Sequence, residues 1–455
     1  MADLERIFKA YDVRGIVPDQ LNSDIARDIG RAFAVFTGAP AIAVGYDMRV
    51  SSPELAGAFM EGVTIQGADA VDLGMVSTDL LYFASGHLDM PGAMLTASHN
   101  PPEWNGLKLC GPAAQPLSED TGLGEIKALA TARAFPAAAA RGVVGRRDLL
   151  DTYAEHVLSF IDTSTLSRLE RPLVVAVDAG NGMAGAVVPR VFADLPVRLV
   201  PLFFELDGSF PNHPANPIEP ENLKDLQKAV LEEKADLGLA FDGDADRCFV
   251  VNEKAEPVAS GLITALVAQR MLARHPGAKI IHNLIVSRVV PEVIRENGGE
   301  PIRTRVGHSF IKAVMAETGA VFGGEHSGHY YFRDNYCADS GLIAAVHILE
   351  ALAEAACPLS EVLRPFERYS DSGEVNVRVP DQRVATDFVE KHYPGISVDR
   401  MDGLTMDSGR WWFNLRPSNT EPLLRLNVEG GDEAEMTRVR DEVLGLLREA
   451  GGTPA

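Results

Sequence analysis

The segment Asp242-Gly-Asp-Ala-Asp-Arg247 places three carboxylates on alternate positions of one short stretch. Carboxylates that close repel one another unless a cation holds them. The strand-like runs Leu237 to Phe241 before it and Cys248 to Val251 after it put the loop at a sheet edge. Two cations compete for it. A Ca²⁺ loop of the helix–loop–helix kind would use Glu253 at its twelfth position. That loop also needs glycine at the sixth, where Arg247 stands, and helices on both flanks. A Mg²⁺ site made of Asp242, Asp244 and Asp246, with positions open for a phosphate oxygen, suits the strand flanks better. A solvated acidic turn is the plain alternative.

Three other polar loops carry candidate chemistry. Thr96 to Pro101 (TASHNP) holds Ser98 beside His99. Adjacent residues rarely point at each other, and no G-x-S-x-G elbow is present, so this is not a hydrolase triad. Near a metal loop, Ser98 can instead carry a phosphate whose oxygens complete the cation's shell; otherwise it caps a turn. Lys108 follows an Asn105-Gly106 turn and could reach the same phosphate or lie on the surface. Arg416 to Pro422 (RPSNTEP) has the makings of a phosphate clamp: a guanidinium fork at Arg416, neutral donors at Ser418, Asn419 and Thr420, and a second guanidinium at Arg425. Gly324 to His329 (GEHSGH) offers Glu325 and Ser327 to vicinal sugar hydroxyls, with His326 and His329 beside them. His329 is a candidate proton carrier, and H-x-x-H on a glycine loop is only a weak zinc signal. Thr304 to Lys312 adds Arg305, His308 and Lys312, either as positive charge opposite the clamp or as the dressing of a helix start.

Strands and helices must deliver these loops. Ile25, Ile29, Phe33 and Phe36 share one face of a helix that Asn22 or Ser23 can cap and Gly38 can end. Strand Ala41 to Asp47 follows. The same succession recurs at Pro172 to Gly185 and at Ala278 to Arg288. Each time a strand, a helix and a second strand lead into one of the polar loops, where open α/β sheets keep their ligands. The tail differs. A strand at Glu374 to Val379, a helix at Val384 to His392, a hairpin about Asp407-Ser408-Gly409, a strand at Leu423 to Val428 and a helix at Glu433 to Glu449 read as a small α+β domain after a boundary near Tyr369. Phe135 to Gly145 reads as a linker.

The chain has 455 residues, with 42 Lys+Arg against 64 Asp+Glu, a formal net charge of −22. That sign opposes long-range attraction to nucleic acid or an anionic membrane, so neither is an expected partner. An anionic ligand would need basic groups gathered locally. Four scattered cysteines without a C-x-x-C pair fit a reducing compartment and no structural zinc. The opening MADLERIF has no basic region followed by an apolar one, so no signal peptide is expected. The apolar run from Gly341 is interrupted by His347 and Glu350 and reads as a buried helix. A cytoplasmic location follows as the expectation.

TASHNP, DGDADR, GEHSGH and RPSNTEP, in that order, together resemble the α-D-phosphohexomutase superfamily, and Phe8 to Gly15 (FKAYDVRG) is similar to its N-terminal signature. The likeness runs from Phe8 to about Glu429, and GEHSGHYYFRD resembles the phosphomannomutase/phosphoglucomutase branch. It implies three consecutive α/β mixed-sheet domains (1–145, 146–252, 253–368) plus a smaller C-terminal α+β domain (369–455) around a central cleft. It further implies a phosphoserine at Ser98, Mg²⁺ held by Ser98, Asp242, Asp244 and Asp246, and sugar hydroxyls read by Glu325 and Ser327. Arg416, Ser418, Asn419 and Thr420 would grip the phosphate that is not reacting, and Arg14, Lys108, Arg247 and His329 match basic positions of the cleft. The implied reaction interconverts hexose 6-phosphate and hexose 1-phosphate, most often mannose and then glucose, through a hexose 1,6-bisphosphate that also primes the enzyme. A metal-dependent sugar phosphatase and a calcium-dependent sugar-binding protein are the alternatives. Neither needs a separate phosphate clamp. A monomer is expected, because four domains can enclose the cleft. Ile285 stands where some dual-specificity members carry a basic residue, so Arg288, Arg305 or Lys312 would have to compensate.

Overall fold

A computed structural model describes residues 4–417 and 423–454, without the side chains of His308 and Ser309. Four sheets follow one another along the chain. In the first, strand Ala41–Tyr46 pairs in parallel with Asp69–Met75 on one side and Gly92–Leu95 on the other, and Gly92–Leu95 pairs antiparallel with Trp104–Cys110. Val13–Ile16 adds to Trp104–Cys110 at one edge and Val144–Arg146 to Asp69–Met75 at the other. The second sheet repeats this order with Leu173–Asp178 between Val197–Leu202 and Leu237–Phe241, the latter antiparallel to Cys248–Asn252. The third repeats it with Lys279–Asn283 between Glu300–Thr304 and Phe322–Gly324, the latter antiparallel to Tyr330–Phe332. Sequence similarity alone is too faint to establish this threefold repetition; strand order and direction establish it.

The repetition fixes the site. TASHNP, DGDADR and GEHSGH each join an inner parallel strand to its antiparallel partner. Three equivalent hairpin connections therefore converge from three domains.

Local chemistry sets the helices as their caps predict. The Asn22 side chain accepts from Ile25 N–H, and Gly38 takes the left-handed conformation that ends helix Ser23–Thr37. Helix Gly341–Ala355, capped by Ser340, is buried from Gly341 to Ala353 as its all-round apolar surface requires. Its Glu350 is buried against Arg270 and Arg274 at 2.5 and 2.7 Å. Among the described residues no single helix is long and apolar enough to cross a membrane. One apolar cluster runs unbroken from Met94 and Tyr153 to Val250 and Ile348, welding the first three domains together. The fourth keeps its own core, around Phe413, Leu426 and Val443, on an antiparallel sheet.

Two boundaries differ from the sequence expectation. Val144–Arg146, at the end of the expected linker, is the edge strand of the first sheet, and Pro257–Val258 belongs to the second sheet. Both are too short to show a periodicity. The strand expected from Glu374 starts at Ser370, across an irregularity between Asp371 and Glu374.

Candidate active site

Ser98 sits at φ 49°, a conformation that costs an L-residue without a glycine's freedom. Thr96 Oγ1 accepts from its N–H at 2.9 Å. Its hydroxyl donates to Asp242 Oδ2 at 2.6 Å and lies 3.1 Å from His99 Nδ1. The serine of the first domain thus meets the aspartate loop of the second. Asp242 is held by Arg247, whose Nε donates to Oδ2 at 2.8 Å and whose backbone N–H donates to Oδ1 at 3.2 Å. Arg247 also donates to His99 Nδ1 at 2.5 Å. Burial and the neighbouring Arg247 push the His99 pKa well below its ordinary value, so it is a neutral acceptor.

Lys108 reaches across from the first domain. Its Nζ donates to Asp244 Oδ2 at 2.7 Å and to Asp246 Oδ2 at 2.6 Å. Thr78 donates to Asp244 Oδ2 as well, at 2.5 Å. Burial alone would raise the Asp244 carboxyl, but Lys108 and Thr78 hold it below the usual range. Burial and the charge of Asp244 push Asp246 the other way, upward. Lys108 loses to burial but gains more from the two carboxylates, and stays charged. Lys108 and Arg247 together leave the three buried acids one positive charge short.

The donor set fits a divalent cation. Carboxylate oxygens of Asp242, Asp244 and Asp246 lie within 4.8 Å of one another. Asp244 Oδ1 and Asp246 Oδ1 are buried without a hydrogen-bond partner, a costly state that oxygen-seeking cations relieve. The Ca²⁺-loop alternative fails on geometry. The triad connects two antiparallel strands, and the Glu253 carboxylate accepts from Ser360 N–H at 3.0 Å and Oγ at 2.5 Å.

A space opens between Arg14, Tyr82, Ser98, Lys108, Arg247 and His329. Arg14 donates to Asp12 at 2.7 Å and to Asn100 of the serine loop. His329 belongs to the third domain, yet its backbone bridges to Arg247 of the second. Its Nδ1 donates to Asp339 Oδ2 at 2.8 Å. Burial would lower its pKa, but Asp339 and Asp246 raise it above the ordinary histidine value. Asp339 is shared with Lys312 at 2.6 Å, and Lys312 Nζ lies 3.7 Å from the centre of the Tyr82 ring. Lys312 is thus buried behind His329 instead of lining the open space.

Glu325 is aimed by its neighbours. Tyr331 donates to Oε2 at 2.7 Å; Asn283 and Gly307 N–H donate to Oε1 at 3.3 and 3.1 Å. Ser327 is half-buried on the same loop. Burial and the nearby Arg416 lower His326 to about 3. Arg305 is exposed and stacks its guanidinium 4.7 Å from the Phe310 ring, and His308 begins helix His308–Thr318. On the fourth domain, Arg416 Nη2 donates to Glu374 at 3.1 Å, and Arg425 Nε lies 3.6 Å from the same carboxylate. Ser418, Asn419 and Thr420 lie outside the described residues.

Ile285 does not face the open space. It packs with Leu284, Val306 and Trp412, an apolar seat between the third and fourth domains. Arg288 reinforces that seat, donating to Glu429 at 3.1 Å and to the Gly409 carbonyl at 2.9 Å. Sequence reasoning did not single out Thr78, Tyr82, Asp339 or Glu374, whose roles arise only when distant segments meet.

Known proteins resemble the chain domain by domain and from end to end. Residues 5–137, 151–255 and 261–369 match phosphoglucomutase/phosphomannomutase alpha/beta/alpha domains I, II and III, and residues 374–446 match the C-terminal domain. A protein of Xanthomonas campestris named among the phosphohexose mutases is 42% identical over 448 residues, spanning 97% of this chain and 99% of its own. A phosphomannomutase of Salmonella montevideo is 42% identical over 452 residues, spanning 97% and 98%. The crystal structure of a phosphoglucomutase/phosphomannomutase family protein from Burkholderia thailandensis superposes with a TM-score of 0.89 at 35% identity, covering 98% of this chain and 97% of that one. Four domain matches in order, and relatives alike from end to end, make this chain a member of the phosphoglucomutase/phosphomannomutase family.

Proposed function

We propose that the protein interconverts hexose 6-phosphate and hexose 1-phosphate, with mannose the preferred sugar and glucose the second. The observation that carries this is Ser98, poised in left-handed backbone and hydrogen-bonded to a buried triad of aspartates from another domain. The name shared by the Salmonella relative favours mannose.

Phosphoserine at Ser98 gives its phosphoryl group to the free sugar hydroxyl. The P–Oγ bond breaks, a bond from phosphorus to the sugar oxygen forms, the hydroxyl proton leaves to a base, and the departing Ser98 Oγ takes up a proton to become the free hydroxyl. The resulting 1,6-bisphosphate turns within the cleft and returns its other phosphate to Ser98. The same bisphosphate, supplied from outside, primes an unphosphorylated enzyme. Asp242, Asp244 and Asp246, with the Ser98 phosphate, would hold a Mg²⁺, which would supply neutralisation of charge on the transferring group. Lys108 and Arg247, both charged, stabilise the phosphoryl oxygens. A lysine held charged by two carboxylates is a poor base, which leaves His329, backed by Asp339, as the favoured proton carrier. Glu325 accepts from sugar hydroxyls, and Arg416, preset by Glu374, grips the distal phosphate with Arg425.

Ser98→Ala tests the proposal. Turnover in a coupled mutase assay should fall at least about 10⁴-fold with the thermal midpoint retained. Near-normal mutase activity would sink it. Release of inorganic phosphate by the wild type in place of isomerisation would favour a phosphatase.

A further inference from the structure

Arg49 lies outside all four loops, and its side chain has no exposure to solvent. A guanidinium taken out of water costs several kcal/mol unless it is paired and hydrogen-bonded. Asp47, equally buried, stands 3.2 Å from its Nε. Its other N–H groups meet backbone. Nη2 donates to the carbonyls of Ser98 at 2.8 Å and Asn100 at 2.6 Å; Nη1 donates to those of Pro101 at 2.7 Å and Trp104 at 3.0 Å. One planar fork therefore fastens the segment 98–104 at four carbonyls.

The first of those carbonyls belongs to the residue whose backbone is forced to φ 49°. The aspartate loop presses on the same oxygen from the other domain: a Cβ on Gly243 would stand 2.4 Å from it. The second domain also closes over Arg49. The Phe210 ring lies 5.1 Å from its guanidinium carbon, and a Cβ on Gly208 would stand 2.4 Å from its Cα. Arg49 is thus packed where the serine loop, the aspartate loop and segment 207–213 come together.

We propose that Arg49 is a positioning residue for phosphoryl transfer: it fixes the Ser98 loop through backbone carbonyls and so sets Ser98 Oγ against the aspartate triad. The inference rests on Ser98 being the phosphate carrier. Lysine keeps the charge but not the fork, so it cannot span the four carbonyls. A displacement of about 1 Å at a reacting group lowers a rate roughly 100-fold.

The test compares wild type, Arg49→Lys and the double variant Asp47→Asn/Arg49→Gln, which removes the buried charge pair together. Each is primed with glucose 1,6-bisphosphate, and phosphate on Ser98 is read by intact mass and peptide mapping. Then kcat and KM on mannose 1-phosphate, the single-turnover rate of transfer from phosphorylated Ser98, and the thermal midpoint are measured. The expected result is a folded variant that accepts phosphate, with kcat and the transfer rate down at least ~100-fold and KM within about threefold. A kcat within twofold of wild type in either folded variant overturns the proposal. So does failure of both variants to fold, which would make Arg49 a folding residue. An active wild type with no phosphate on Ser98 would instead overturn the functional reading itself, and this inference with it.

Discussion

Lys108 does two opposed things at one position. It satisfies Asp244 and Asp246, and it places a positive charge beside the oxygens that would hold a cation. Lys108→Met should therefore split two quantities that a general loss of structure would lower together. kcat should fall about 10²–10³-fold, because a charge aimed at the transferring phosphoryl is gone. Mg²⁺ should bind more tightly, because nothing cationic competes for the two carboxylates. Titration calorimetry with Mg²⁺ beside steady-state kinetics checks both signs; weaker Mg²⁺ binding would mean Lys108 supports the triad instead of competing with it. At this scale the sequence was legible where chemistry is local. Asp242, Asp244 and Asp246 declare themselves by spacing, and Ser98 by its loop. Thr78 does not, because it reaches Asp244 across 166 positions of chain. Asp339 is equally silent, a lone acid until it is found between His329 and Lys312.

Elements matter here through how closely two loops approach. Gly243 separates the first two aspartates of the triad, and its neighbour is the Ser98 carbonyl of another domain. No side chain fits between them. Gly243→Ala should push the aspartate loop away from Ser98 and lower kcat at least ~100-fold, while the surrounding strands, which pair through their own backbones, keep the fold. A circular dichroism spectrum like the wild type's with reduced kcat is the expected pair of results; an unchanged kcat would show that the loops tolerate separation. Glycine in DGDADR looks from sequence like turn chemistry. Its actual requirement is space, set by a segment some 145 residues earlier, roughly the length of a domain. The elements themselves were readable from period and caps, as helices Ser23–Thr37 and Glu433–Glu449 show. Val144–Arg146 was not, because three exposed residues carry no pattern and join the sheet only once Asp69–Met75 is there to pair with.

Across the whole molecule, the first three domains share one apolar core, and a carboxylate is buried at their junction. Asp79, in helix Thr78–Leu88, accepts from Ser77 of its own domain, from Tyr153 of the second, and from Ser340, the cap of helix Gly341–Ala355 in the third, at 2.8 Å. Burial raises its pKa from 3.8 to about 6, and the three hydroxyl donors offset only part of that rise. The sign follows from proton counting. Below about pH 4 the group is protonated folded or unfolded. Between about 4 and 6 the unfolded chain releases its proton while the folded protein keeps it, so this group's contribution to stability is lost as pH rises, by about 3 kcal/mol at pH 7. Asp79→Asn cannot titrate. Its thermal midpoint relative to wild type should therefore rise steadily from pH 4 to pH 7 and level off above it, whatever fixed amount the amide changes by rearranging the hydroxyls. Other acids titrate alike in both proteins and cancel in the difference. A difference that stays flat over this window would mean the carboxyl is ionised throughout, and that the hydroxyls of the second and third domains compensate fully for its burial.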